Sequence, residues 1–175
     1  MNSQTTNKKG FTIIEVVLVL AIAGLIFLMV FLALPALQRS QRDTARKNDM
    51  SRLVAALNDY KAAHRGKIPE DGKWQEMVND YLLGGNTSNA RGSFIDPSGP
   101  ASTGDGSSEN SYFLRKAEVA TGALSATFEE SQNIIYYTPG ARCAEGGADI
   151  VGNQGQRVVA FRIKLENAGW HCVDN

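Results

Sequence analysis

Between Phe11 and Leu37 lie 27 residues, of which all but Thr12, Glu15, Gly24 and Pro35 are hydrophobic. Only Glu15 is charged. As a helix the run would be about 40 Å long at 1.5 Å per residue, more than a hydrocarbon core of roughly 30 Å requires. Without it the chain is ordinary: about 35% hydrophobic (52 of the other 148 residues), against 43% over all 175. The formal charge balances, with 18 Lys+Arg and 18 Asp+Glu. No basic excess marks a dedicated nucleic-acid binder, and the composition is neither that of a disordered chain nor of collagen. The sequence therefore reads as a membrane-inserting segment joined to a polar domain.

Residues 1–10, MNSQTTNKKG, are polar and end in Lys8, Lys9 and Gly10. A short basic leader followed by an apolar run is the order of an export signal. A conventional cleaved signal has its small-x-small site in Ala21-Ile22-Ala23, but the apolar run continues for fourteen residues beyond it. A lipoprotein needs a Cys at the end of the run, and the cysteines are Cys143 and Cys172. A plain single-pass anchor is a further alternative. Glu15 argues for something more specific, because an ionised carboxylate in hydrocarbon costs several kcal/mol and marks a function by default. The bland alternative is a side chain snorkelling at the interface.

The stretch Lys8-Lys9-Gly10-Phe11-Thr12-Ile13-Ile14-Glu15 resembles the prepilin signal of type IV pilins and pseudopilins. The resemblance implies cleavage by a prepilin peptidase at the Gly10–Phe11 bond and N-methylation of the new amine on Phe11. It also implies that Glu15 pairs with the amino-terminal charge of a neighbouring subunit. The residue types suit those roles. Gly10 lets the backbone lie close in a protease site, and Lys8 and Lys9 hold the leader on the cytoplasmic face. A buried carboxylate needs a cation, and breaking one member of a buried pair costs roughly 3–5 kcal/mol, enough to set a register of assembly. The resemblance is close over the first 50–65 residues and one of layout beyond them. Pilins often carry a helix-breaking Pro about two turns beyond a Gly that corresponds to Gly24. Here Gly24 and Pro35 are the breakers, eleven residues apart. Arg39, Arg42, Arg46 and Lys47 follow the run on its presumed outer side, so the leader motif sets the orientation.

The expected fold is α+β: a long amino-terminal helix, transmembrane and then amphipathic, packed against a small antiparallel sheet in a pilin-like head. Met50, Leu53, Val54, Leu57, Tyr60 and His64 recur at spacings of three and four, one face of a helix. Gly66 reads as its cap, and Pro69 prevents continuation. This divides the chain into a leader (1–10), a membrane or filament-core helix (11–37), an amphipathic continuation (38–65) and an extracytoplasmic head (66–175). A second helix is expected over 71–83, ending at Gly84-Gly85, then a polar loop over 85–111. Asp96, Asp105 and Glu109 offer oxygen ligands in that loop, but their spacing matches no calcium loop. Strands are expected at 133–138, at 157–165 with one face buried, at 170–173 and near 112–114. Residues 38–65 carry seven Lys+Arg and three Asp+Glu, and residues 66–175 carry nine and fourteen. A positive stem under a negative head could pair between subunits. The ordinary reading is a solvated face, and DNA binding by Arg39, Arg42, Arg46 and Lys47 is a weaker alternative.

No catalytic constellation is legible. His64 and His171 lie in no nucleophile motif, and the sequence has no G-x-S-x-G, Walker A or H-E-x-x-H. Glu129-Glu130 reads as a solvated pair, and Gly-rich 140–155 lacks the setting of a phosphate loop. The chain is read as a non-enzyme with no metal and no cofactor. The resemblance implies a filament subunit, inserted in the cytoplasmic membrane and then displayed at the cell surface. Its partners would be other pilins, prepilin peptidase, an assembly ATPase and a platform protein. Adhesion, motility, secretion and DNA uptake are all compatible roles. The alternatives are a pseudopilin of a type II secretion system, a minor pilin of a DNA-uptake machine, or a membrane-anchored binding protein that never polymerises. An exported domain sits where disulfides form, so Cys143 and Cys172 are expected to bridge. The closed loop of about 30 residues would then contribute roughly 3–4 kcal/mol in the chain-entropy model. The exported chain should titrate no free thiol under denaturing conditions; two thiols would refute the bridge.

Overall fold

The computed structural model describes residues 10–83, 94–98, 112–117, 131–152, 154–167 and 169–175. The expected Gly84-Gly85 stop, most of the 85–111 loop and Glu129-Glu130 lie outside them. The chain divides into two compact units, Met1–Gln38 and Arg39–Asn175.

Helix α1 runs from Ile13 to Ala63. It passes unbroken through Gly24 and Pro35, in keeping with the expected long helix, transmembrane and then amphipathic. A lone glycine costs a helix only about 1 kcal/mol relative to Ala. Pro35 removes one backbone donor at a cost of about 3 kcal/mol, which long helical flanks can carry. At the far end Arg65, with φ of 57°, is the first residue to turn left-handed, one position before the expected cap. Gly66 follows with φ of 78°, and its N–H closes on the Lys61 carbonyl at 2.7 Å. This is the six-to-one closure of a Schellman end, with Arg65 in the place usually given to Gly.

In the second unit α1 buries Met50, Leu53, Ala56 and Leu57, with Val54 and Tyr60 at the margin. Helix α2, Trp74–Met77, leads directly into a π-helical turn over Val78–Leu82. Trp74 stacks on Tyr137 with ring centres 4.2 Å apart and meets Phe161 edge-on at 5.9 Å. The strands are β1 (Phe113–Lys116), β2 (Ile134–Pro139), β3 (Arg142–Cys143), β4 (Ile150–Val151), β5 (Val159–Lys164) and β6 (Trp170–Asp174). The main sheet has the order β1-β2-β5-β6, and β3 and β4 form a separate two-stranded ribbon. Val159, Phe161 and Ile163 join the core with the Leu53–Tyr60 face of α1, as their alternation predicts.

Two expectations are corrected. The sheet is mixed, because β1 pairs parallel with β2 while the other neighbours are antiparallel. Residues 117–133 supply enough chain for the crossover that a parallel pair requires. Strand β5 is also buried on both faces, not one. It is central, and its second face is covered near Ala160 by Ala141 and Cys172, with Cys143 and Ile150 beside them. Cys143 and Cys172 form a disulfide with Cα atoms 5.7 Å apart, linking β3 to β6.

The polar anchor of the head is Arg46, which is fully buried. Its Nε and Nη2 donate to the two oxygens of Asp96 at 2.8 and 2.9 Å, a bidentate fork. Its Nη1 donates to Asp43 at 3.1 Å and to Glu166 at 3.0 Å. Arg42 grips both Glu166 oxygens at 2.7 and 2.6 Å. Asp43 in turn accepts the backbone N–H groups of Glu166 and Asn167 at 2.8 and 3.0 Å. Arg42 and Arg46 are therefore spent inside the head and do not form the positive stem surface or DNA contact read from the sequence. Asp96, named there as an oxygen ligand, is likewise spent on Arg46. Burial works against the Arg46 charge, but the hydrogen bonds and charges of Asp96 and Glu166 hold its pKa above the ordinary value. The Arg42 hydrogen bonds, reinforced by Arg46, bring the Glu166 carboxyl down to about 2.

A carboxyl depressed on folding stabilises above its unfolded pKa and loses that contribution as pH falls toward its folded value. Glu166→Gln should cost about 1–3 kcal/mol at neutral pH, the worth of charge-assisted hydrogen bonds. The wild-type advantage should shrink between about pH 4.5 and pH 2. Urea unfolding followed by the fluorescence of buried Trp74 reads both effects. Equal midpoints at neutral pH would refute the assignment.

Candidate functional site

The amino-terminal signal is open to approach. Among the described residues nothing lies within 4 Å of the point where a Cβ on Gly10 would sit, and Phe11 is 90% exposed. Helix α1 begins two residues later with a reciprocal cap. The Thr12 N–H and hydroxyl donate to Glu15 Oε2 at 2.9 and 2.8 Å, and the Glu15 N–H returns to Thr12 Oγ1 at 3.4 Å. This is a capping box, two otherwise orphaned donors satisfied by each other's side chains. Its signature, Thr12-x-x-Glu15, is present in the sequence, although the charge of Glu15 drew the reading toward a partner in trans. The cap uses one oxygen. Glu15 Oε1 makes no hydrogen bond among the described residues.

Beyond the cap, as far as Leu37, the apolar residues of the helix make no core of their own among the described residues. Every large hydrophobic side chain from Phe11 to Leu37 is exposed, from Val30 at 45% to Ile13 at 85% among the helical ones. Over this stretch α1 is long and apolar enough to cross a membrane. An apolar surface of this extent marks a lipid or protein contact. Gly10, Phe11 and Glu15 thus gather within one turn of the helix start, Gly24 and Pro35 lie along the apolar stretch, and Lys8 and Lys9 fall outside the described residues. Cys143 and Cys172 belong to the head.

The head brings no nucleophile and base together among the described residues. His64 stacks on Tyr60, with ring centres 3.9 Å apart, and its Nδ1 lies 2.9 Å from the Tyr60 carbonyl. His171 sits on β6 opposite Ile163, its pKa lowered by burial and by the charge of Lys47. Tyr112 donates to Asp49 at 3.4 Å; burial raises both pKa values, with nearby carboxylates adding to the Tyr112 shift. No three His, Cys, Asp or Glu side chains gather to hold a metal among the described residues. The Arg46 network was not foreseen, since its partners stand 50 and 120 residues away and no local pattern joins them.

In comparison with known proteins, the family model of the prokaryotic N-terminal methylation motif matches residues 5–31. No curated protein and no solved structure matches the chain.

Replacing a capping Thr by Ala typically costs about 1 kcal/mol. Thr12→Ala should therefore accelerate amide exchange at residues 13–16 about fivefold in the micelle-bound chain, by nuclear magnetic resonance. Unchanged exchange there would show that the cap does not hold the first turn.

Proposed function

Because the chain carries the type IV prepilin-type signal, we propose that it is a structural subunit of a type IV pilus or a related filament. The precursor is anchored in the cytoplasmic membrane by residues 11–37, with residues 1–10 as its leader. Prepilin peptidase cuts the Gly10–Phe11 bond and methylates the amine of Phe11. Subunits then polymerise through this helix with the help of an assembly ATPase and a platform protein, leaving the head at the filament surface. The observation that carries the reading is the conjunction of the matched motif with a helix whose large hydrophobic side chains from Phe11 to Leu37 are all exposed.

The geometry supports a two-part role for Glu15. One carboxylate oxygen holds the helix start, and Oε1 is left for the amine of an adjacent subunit. Cleavage creates that amine at the tip of an apolar rod, where it has no water to solvate it once subunits pack. Pairing with Glu15 removes two unsolvated charges together and fixes the stagger between neighbours. The helix stays intact through Gly24 and Pro35. Any unwinding there belongs to assembly, where neighbouring helices can take over the freed backbone groups.

Mass spectrometry of the mature protein tests the first step, which should yield a chain beginning at singly methylated Phe11. An intact Met1 and no filaments would sink the proposal. Glu15→Val should leave cleavage in place and cut filament yield by tenfold or more, since about 3 kcal/mol at each contact is more than a factor of one hundred in affinity. Normal filaments from that variant would remove the carboxylate from the register device.

A further inference from the structure

A cleft of about 730 Å3 opens on the head between the last turns of α1, the connection over 67–73, and α2 with its π turn. Its size falls among small-ligand sites, which run to about 300–1,000 Å3. Neither the amino-terminal signal nor the Arg46 network reaches it. Part of its wall is aromatic. Tyr60 and His64 are stacked, and Tyr81 meets Tyr60 edge-on at 5.4 Å and His64 at 6.2 Å. His64 Nδ1 can only donate to the Tyr60 carbonyl, so in the neutral ring Nε2 is left as an acceptor. The hydroxyls of Tyr60 and Tyr81 make no hydrogen bond among the described residues.

The charges around this wall decide what would fit. Three lining side chains are basic, Arg65, Lys67 and Lys73, and three are acidic, Glu70, Glu76 and Asp80. Lys73 and Glu76 pair at 2.7 Å, while Arg65, Lys67 and Asp80 make no ion pair among the described residues. A site for phosphate or nucleic acid carries a basic surplus, and a cation site an acidic one. This cleft has neither, and its rim of charges would repel a purely apolar ligand. A balanced set of donors and acceptors around aromatic rings suits a neutral polyhydroxylated ring. The C–H bonds of one pyranose face pack on the rings, and its hydroxyls donate to carboxylates and accept from the ammonium and guanidinium groups. We propose that this cleft binds a neutral saccharide of one or two pyranose units. The proposal stands on the head alone and does not rest on the filament reading.

Saturation-transfer nuclear magnetic resonance on the full chain, in a zwitterionic detergent without a sugar headgroup, tests it. The probes are methyl β-D-glucopyranoside, methyl β-D-galactopyranoside, N-acetyl-D-glucosamine and cellobiose. At least one should bind, whereas glucitol, which has the hydroxyls but no ring face, should not. Tyr81→Ala or Asp80→Asn should weaken binding by about tenfold. Tyr81 packs against the core, whereas Asp80 is exposed, so the second variant reads the site without disturbing the fold. The proposal is overturned if no pyranoside binds, if glucitol binds equally, if neither variant weakens the interaction, or if a short oligodeoxynucleotide displaces the sugar.

Discussion

A guanidinium taken out of water has to be met by carboxylates, and the head is organised around meeting Arg46. Its partners come from three places: Asp43 one turn earlier on the same helix, Asp96 from the 94–98 segment, and Glu166 just after β5. Each brings its own stretch of chain into position. Phe94, two residues before Asp96, packs on Tyr112 in the core. Asp43 caps the backbone leaving β5 through the N–H groups of Glu166 and Asn167. The apolar core fixes how close helix and sheet lie, since burial has little direction. The charged fork fixes which turn of the helix faces which strand end, because bidentate geometry tolerates little displacement. Removing one member would strand a buried charge, which is why such networks are costly to break even where they add little net stability.

The other end of α1 presents the converse problem. Its surface is apolar and exposed, and among the described residues the single carboxylate bonds through one oxygen alone. Inside one chain the capping box gives Glu15 a local reason to exist, and that reason is compatible with a second one in an assembly. A carboxylate has room for several donors. Capping with Oε2 also holds the side chain in place, so less entropy is lost when a second partner arrives. The same residue can thus start the helix and set its register against another copy. In the proposed assembly the exposed apolar surface would supply the affinity of packing and the Glu15 carboxylate its register.

The amino-terminal signal was legible from Lys8 to Glu15 and the apolar run that follows, because its chemistry is local: a basic pair, a glycine before Phe11 and a carboxylate at the mouth of the run. The strands at 134–139, 159–164 and 170–174 were legible from alternation and turn residues, and the core face of α1 from its three-four spacing. The parallel pairing of β1 was not, since a four-residue strand states no direction. Nor was the burial of Arg162, which lies on the face of β5 read as exposed. It approaches Asp149 at 3.8 Å and lies 4.9 Å over the Trp170 ring. Arg46 misled for the same reason. Among seven basic residues on the stem, nothing nearby in sequence distinguishes the one that is buried.

The sequence by itself determined that this chain has an apolar membrane-length helix, a cleavable-looking signal with a carboxylate at its mouth, and an amphipathic stem leading to a polar α+β head. Those follow from period, composition and spacing within a few turns of chain. Only the tertiary structure decided which charges are spent inside the head, how the sheet is ordered, and that a charge-balanced aromatic cleft forms beside the end of α1. Each of these includes residues brought together from about 20 to more than 100 positions apart, where sequence spacing carries no information and packing selects the partner.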